Sequence, residues 1–236
     1  MTMAAHDTRP RSARAQLRIL IVEDHMLFAE SLELVLSVEG YDVRRIPVPD
    51  HPNAPGTMLS SIVRLRPRIV LLDLDLGRFG DGVRLIAPLA KVGVNVVVVT
   101  ASTDRARWGE AVRNGARAVL SKGQPLSSIL ATARRINEGK PVMTYEEREG
   151  LLRAWHQGRS ELAETMTRLS LLTARESQVL GRLMRGCTVH DIAAHSVVSE
   201  ATVRTQVKSI LAKLEVSSQL AAVGMAHHVG WQPPAA

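Results

Sequence analysis

Apolar positions along the chain follow two different rhythms. Up to about residue 140, short apolar runs alternate with amphipathic stretches; from Leu169 onward only a helical period remains. The run Leu17–Val22 ends at Glu23-Asp24, and Leu27, Phe28, Leu32, Leu34, Val35 and Val38 then recur at helical spacing until Gly40. A short strand follows at Tyr41–Ile46, and Pro47, Pro49, Pro52 and Pro55 break regular structure. The pattern continues with a helix near Thr57–Arg66, a strand at Ile69–Leu72, a glycine-containing loop, a helix at Val83–Val92 and a strand at Val94–Val99. A helix at Asp104–Asn114, a strand at Ala116–Leu120 and a helix at Leu126–Asn137, ended by Gly139 and Pro141, complete the series. The strands at 69–72 and 94–99 are apolar throughout, as strands covered on both faces must be. Strands each followed by a helix specify an α/β unit with a five-stranded parallel sheet.

The last seventy residues read as all-α. Thr173-Ala174-Arg175-Glu176 has the spacing of a capping box, and Val179, Leu180, Leu183 and Met184 share one face before Gly186. A short helix over about Val189–His195, the link Ser196-Val197-Val198 and the N-cap candidate Ser199 lead to a third helix. There Val203, Val207, Ile210, Leu211 and Leu214 form the apolar face, with Arg204, Thr205 and Lys208 off it. A fourth helix near Ser218–His228 makes a compact four-helix unit. Two short helices joined by a tight turn, the second basic on its outer face, suit a helix-turn-helix in the DNA major groove.

Composition narrows the function classes. Hydrophobic residues at 45% exclude wholesale disorder, and a single cysteine, Cys187, excludes a disulfide framework and a Cys-rich zinc site. No uncharged apolar run reaches membrane-spanning length, and the N-terminus carries arginines without an apolar stretch of the secretory type. The expectation is a cytoplasmic protein with no membrane partner. The net charge of +7 is spread thinly: residues 1–18 carry four Arg against one Asp, 19–140 carry 16 basic against 13 acidic residues, and 165–236 carry 7 against 4. Residues 141–164 are instead net acidic, 3 against 5, and lose the strand pattern, which marks a linker. The expected divisions are a disordered basic tail at 1–16, an α/β domain at 17–140, a helical linker at 141–168 and a helical domain at 169–236.

In open parallel sheets, ligands bind at the carboxyl ends of the strands. Strand one ends at Glu23-Asp24, strand three at Asp73, strand four at Thr100 and strand five at Lys122. Hard carboxylate oxygens suit Mg²⁺. A carboxylate beside such an ion, a hydroxyl and an ammonium can attack a phosphoryl group, because the cations offset charge on the transferring oxygens.

These residues, in this order, resemble the receiver domain of two-component response regulators over residues 17–140. "LRILIVEDHMLFAESL" is similar to the family's first strand and acidic pair, "IVLLDLDLG" places Asp73 at the phosphoacceptor, "VVVVTAS" supplies Thr100 and "GARAVLSKG" supplies Lys122. The resemblance implies a flavodoxin-like fold. It also implies phosphoryl transfer to Asp73 from a histidine kinase, with Mg²⁺ held by Glu23, Asp24, Asp73 and the backbone carbonyl of Asp75. Three departures stand out: Gly77 replaces the usual Pro, the loop to Gly82 is one residue longer, and Val119 occupies the switch position three before Lys122, where an aromatic is usual. They favour a second reading, a receiver that works without phosphorylation. A more distant alternative is a haloacid-dehalogenase-type phosphatase, which shares an Asp-x-Asp such as Asp73-Leu74-Asp75 but needs a further acidic pair on a later strand. The side chains of Asp75 and Asp81 read as loop carboxylates, His25 as the start of the first helix, and Cys187 as a turn or buried residue.

The segment from Leu172 to Val216 resembles the LuxR-type DNA-binding domain throughout, and the two halves together resemble the NarL/FixJ class of response regulators. By that resemblance Arg204, Thr205 and Lys208 face double-stranded DNA, Lys213 is a weaker phosphate contact, and Gln206 stands where His is common. The implied protein is a transcription regulator rather than an enzyme, homodimeric when active. Aromatic residues at 3% argue against stacking-based recognition of single strands.

Overall fold

A computed structural model describes residues 17–49 and 55–233. The expected basic tail at 1–16 lies outside these residues. The chain divides into two compact units, one through His156 and one from Gln157.

The first unit is built on five parallel strands: β1 (Arg18–Val22), β2 (Asp42–Ile46), β3 (Ile69–Leu72), β4 (Asn95–Thr100) and β5 (Ala118–Ser121), in the order β2-β1-β3-β4-β5. Helices α1 (Met26–Val38), α2 (Pro55–Arg64), α3 (Val83–Lys91), α4 (Arg105–Arg113) and α5 (Leu126–Asn137) connect and follow them. Alternate residues of each central strand serve opposite cores. Leu20, Val22, Val70 and Leu72 pack with Ile62, Leu85 and Ile86 of α2 and α3, whereas Ile19, Ile21, Ile69 and Leu71 pack with Leu32 and Leu36 of α1 and Ile129 of α5. Such two-sided burial explains why these strands are apolar at every position. The chain leaves β1 toward β2 and returns on the far side to β3, so the strand order reverses between β1 and β3. That crevice is where the acids stand.

Strand β5 begins two residues later than the sequence pattern suggests. The Ala116 amide closes α4 on the Ala111 carbonyl, 3.0 Å away, and so belongs to the helix end. The expected linker is one long helix, α6 (Tyr145–Ser170). It starts only at Tyr145 because Thr144 caps it reciprocally with Glu147: each backbone amide donates to the other's side chain, at 2.7 and 3.1 Å. Its first half packs within the first unit, where Leu151 and Trp155 are buried.

The second unit holds α7 (Ala174–Met184), α8 (Val189–Ser196), α9 (Glu200–Leu214) and α10 (Gln219–His228) around one core centred on Leu180, Ile192, Val203, Ile210 and Leu214. The capping box at Thr173 and Glu176 is present, and Ser199 caps α9 by accepting from the Thr202 amide. A second capping box, Thr188 with Asp191, opens α8. The turn from α8 to α9 is made by Val197 in the left-handed region, φ 53°, a costly place for a β-branched residue.

Glu176 does more than cap. Its buried carboxylate accepts from Lys213 Nζ and Ser209 Oγ, both at 2.6 Å, and from the Thr173 amide at 2.7 Å. Burial opposes its ionisation, but these donors outweigh burial and hold its pKa down at about 2. Because the folded pKa lies below the ordinary carboxylate value, this stabilisation is complete above pH ~4.5 and is lost as pH falls toward ~2. Replacing Glu176 with Gln should cost the second unit about 2 kcal/mol at neutral pH. Calorimetric melts of the full chain should show the gap between wild type and variant closing between pH 5 and pH 2.

Candidate functional site

Backbone pairing brings the strand ends together. The Asp73 amide donates to the Val22 carbonyl at 3.0 Å, which sets Asp73 beside Glu23, and the Lys122 amide donates to the Thr100 carbonyl at 2.8 Å. From that position the Lys122 ammonium reaches Asp73 Oδ2 at 2.6 Å and Glu23 at 2.8 Å. The carboxylates of Asp73 and Glu23 are almost wholly buried, with side-chain exposures of 2% and 3%, whereas Asp24 is 29% exposed at the mouth. Burial is the main reason the Glu23 pKa is raised, and the neighbouring Asp73 charge adds to it against the hydrogen bond from Lys122. Burial alone would lower the Lys122 pKa, but its bonds to Asp73 and Glu23 prevail and raise it. The ammonium therefore stays charged.

Thr100 is fully buried, and its Oγ1 accepts from the Ser102 amide at 3.1 Å. The sequence-derived set Glu23, Asp24, Asp73, Thr100 and Lys122 thus converges at one sheet edge. His25 stands at the start of α1 as expected, exposed, with Nδ1 3.2 Å from Glu23 and 3.1 Å from Asp24. Glu23, Asp24, His25 and Asp73 each offer a ligand atom within 4.8 Å of the others. The three carboxylates are the hard oxygen donors that fit Mg²⁺, while an imidazole suits softer ions.

Val119 is half-buried against the core on the α2–α3 side of the sheet. The loop after β3 has a geometry of its own: Gly77 has φ 53°, and a Cβ there would lie 2.9 Å from Asp24 Oδ2. Proline cannot adopt that φ, so the absence of Pro follows from the path of this loop. Asp75 and Asp81 do not join the acid cluster. Their carboxylates both bind Arg107 of α4, at 2.8 and 3.2 Å, and its guanidinium also donates to the Leu74 carbonyl at 3.1 Å. Arg107 was not singled out in the sequence. It lies 32 and 26 positions from its partners, and nothing local marks it.

In the second unit, α9 presents Arg204, Thr205 and Lys208 on its exposed side. Arg204 donates to Glu200 at 3.0 Å, and Glu200 also meets His190 Nδ1 at 2.9 Å. The Thr205 hydroxyl donates to the Ala201 carbonyl at 3.0 Å. Lys213 is turned inward: besides Glu176, it donates to the Leu171 carbonyl at 3.2 Å. Gln206 Oε1 is buried, with no hydrogen-bond partner among the described residues.

The model for the response regulator receiver domain matches residues 19–134, and that for the luxR family of bacterial regulatory proteins matches residues 170–226. The chain belongs to the NarL/FixJ family of response regulators. Among curated proteins, it is 27% identical over 213 residues to the probable transcriptional regulatory protein NarL of Mycobacterium tuberculosis, covering 89% of this chain and 94% of that one. It is 25% identical over 229 residues to the transcriptional regulatory protein DegU of Brevibacillus brevis, covering 92% and 95%. Among solved structures, it is similar to the response regulator ChrA of a haem-sensing two-component system, at 25% identity, TM-score 0.43 and coverage of 90% and 96%. Full-length FixJ from B. japonicum is 19% identical with TM-score 0.43, covering 91% and 98%.

The first unit is accordingly a receiver domain and the second a LuxR-type DNA-binding domain. The phosphatase alternative finds no support, since the second acid of its Asp-x-Asp is engaged by Arg107 rather than poised beside Asp73. Among the described residues no helix is long and apolar enough to cross a membrane. Replacing Gly77 with Ala should cost about 1 kcal/mol of stability, because the residue would be strained at positive φ and crowd Asp24. Gly77→Pro, which restores the residue more usual in receivers, should lower the melting temperature further rather than improve it.

Proposed function

We propose that this response regulator is a transcription regulator switched by phosphorylation of Asp73. The observation that carries the reading is the Lys122 ammonium held between Asp73 and Glu23, 2.6 and 2.8 Å away, at the reversal point of the sheet. An Asp73 carboxylate oxygen attacks the phosphorus of a phosphohistidine on a partner kinase. The new P–O bond replaces the P–N bond, and the imidazole leaves. Lys122 holds the Asp73 carboxylate through its 2.6 Å contact and offsets charge on the transferring oxygens. The Thr100 hydroxyl, whose oxygen accepts from the Ser102 amide, keeps its own hydrogen to donate to a phosphoryl oxygen. Glu23, Asp24 and Asp73, with the Asp75 carbonyl, would hold Mg²⁺, which supplies further charge neutralisation when bound.

The phosphorylated receiver is read as favouring a homodimer whose DNA-binding domains engage paired half-sites of double-stranded DNA. Arg204, Thr205 and Lys208 on α9 are the proposed DNA-facing positions. Lys213, already committed to Glu176, ranks behind them as a phosphate contact. The second reading, a receiver independent of phosphorylation, is favoured by Val119 and by the divergent loop at Gly77.

Incubation with acetyl phosphate and Mg²⁺ should label the wild type and tighten its DNA binding. Asp73→Asn should take no label and show no tightening. DNA binding that is unaffected by labelling would select the phosphorylation-independent reading. Arg204→Ala should weaken DNA binding by about 1–3 kcal/mol and relax base preference. Lys208→Ala should instead flatten the dependence of log K on log salt by about one unit. Mobility shifts over a salt series separate the two.

A further inference from the structure

The receivers this chain resembles usually carry an aromatic where Val119 stands, so the route from the phosphoacceptor to the output side must be made of other groups. Two ties run from the acid pocket to α4. In the first, Thr100 Oγ1 accepts from the Ser102 amide, and the Ser102 carbonyl accepts from Trp108 Nε1 at 2.9 Å. In the second, the Asp75 amide donates to Asp73 Oδ1 at 3.2 Å, and the Asp75 carboxylate is gripped by Arg107. Arg107 is forked across three acceptors, the carboxylates of Asp75 and Asp81 and the Leu74 carbonyl, and so fixes both limbs of the loop that follows the phosphoacceptor. A planar guanidinium can do this where an ammonium cannot.

On its other side α4 meets α6 without clearance. Gly109 is buried, and a Cβ placed on it would lie 2.0 Å from the Leu151 carbonyl oxygen and 2.8 Å from Trp155 Cβ. Backbone therefore touches backbone at this point. One turn further along α4, the Arg113 guanidinium covers the Trp155 ring at 4.5 Å. Packed helices with no free space pass on a displacement rather than absorb it.

We propose that Arg107 is a positioning residue that couples the loop of Asp73 to the first half of α6, through α4 and the Gly109 contact, in place of the missing aromatic switch. The proposal rests on phosphorylation of Asp73. A phosphoryl group on Asp73 Oδ1, opposite the oxygen bound by Lys122, turns the acceptor of the Asp75 amide into a bridging acyl-phosphate oxygen and weakens that bond; the loop adjusts, and Arg107 carries the adjustment into α4. The DNA-binding domain then responds through the helix that leads to it.

Hydrogen–deuterium exchange on the full chain, with and without acetyl phosphate and Mg²⁺, reads this directly. In the wild type, exchange over residues 145–156 should change on labelling. In Arg107→Ala, Asp73 should still be labelled, but the change over 145–156 should be lost, and with it the gain in DNA binding. Arg107→Lys, which keeps the charge and loses the fork, should recover only part of the response. Gly109→Ala should raise exchange over 145–156 even without the phosphodonor, while labelling persists. A full wild-type response in Arg107→Ala or Arg107→Lys overturns the proposal, as does a labelled wild type whose residues 145–156 do not respond, or a Gly109→Ala chain in which they stay protected. Absence of label in the wild type overturns the phosphorylation reading itself, and this proposal with it.

Discussion

The ammonium of Lys122 lies between two carboxylates that are almost wholly removed from water. Two buried like charges at one sheet edge repel each other, and each loses hydration; a cation in hydrogen-bond contact with both is what makes their coexistence tolerable. Much of the receiver's layout follows from meeting that requirement. Lys122 starts at the end of β5, with β4 between it and the strand that carries Asp73. Its side chain must therefore cross over the end of β4, where the uncharged Thr100 lies buried. The ammonium also lies 5.2 Å from the Phe28 ring centroid, so α1 shields the pair from solvent as well as covering the sheet. Removing one partner of such a group leaves the others as uncompensated charge, and the pocket has to be considered as a unit.

How far the sequence revealed this arrangement depends on whether the signal was local. Strands buried on both faces announce themselves as continuous apolar runs, and the residue just past each run is the one at the functional edge. Glu23, Asp24, Asp73 and Thr100 were legible for that reason, and Lys122 because it follows the short, half-buried edge strand β5. Element ends were less so, because the last amide of a helix and the first of a strand look alike until their acceptors are known, as at Ala116 and Tyr145. Arg107 was invisible. An arginine on an amphipathic helix reads as a solvated charge, and its partners Asp75 and Asp81 become partners only once β3 and β4 are adjacent. The buried face of α6 escaped for a related reason. Leu151 and Trp155 sit in an acidic, polar stretch, and it is a glycine on another helix that opens the space for them.

The DNA-binding domain shows the same division between local and distant information. Thr173 and Glu176 form a motif of four residues, so the cap could be read directly. That Glu176 also anchors Lys213 across the domain could not, since the two are 37 residues apart. Lys213 follows Arg204 and Lys208 along α9 and looks available for phosphate, yet its charge is already compensated inside the domain. Arg204 is different: its partner Glu200 is one turn away on an exposed surface, where such a pair contributes little and is easily exchanged for a nucleic-acid phosphate or base. Burial of the partner, more than the presence of a salt bridge, separates a structural cation from one that can serve as a ligand-binding group.

The same criterion bears on how the receiver can communicate. An aromatic switch works by packing and is indifferent to salt, but it needs a cavity into which a ring can turn, and Val119 with its core neighbours leaves no ring to turn. A forked guanidinium works by charge. At 23% exposure Arg107 is sheltered enough to hold its geometry, yet it grips two loop carboxylates that are themselves 60% and 43% exposed. Solvent and ions can reach those carboxylates, so the grip can be broken and remade at modest cost, as a switch element requires. The Lys122 pair cannot serve this purpose, because burial makes it too costly to open. On the proposed reading, the rigid ion pair at Asp73 serves the chemistry and the yielding one on α4 serves the motion.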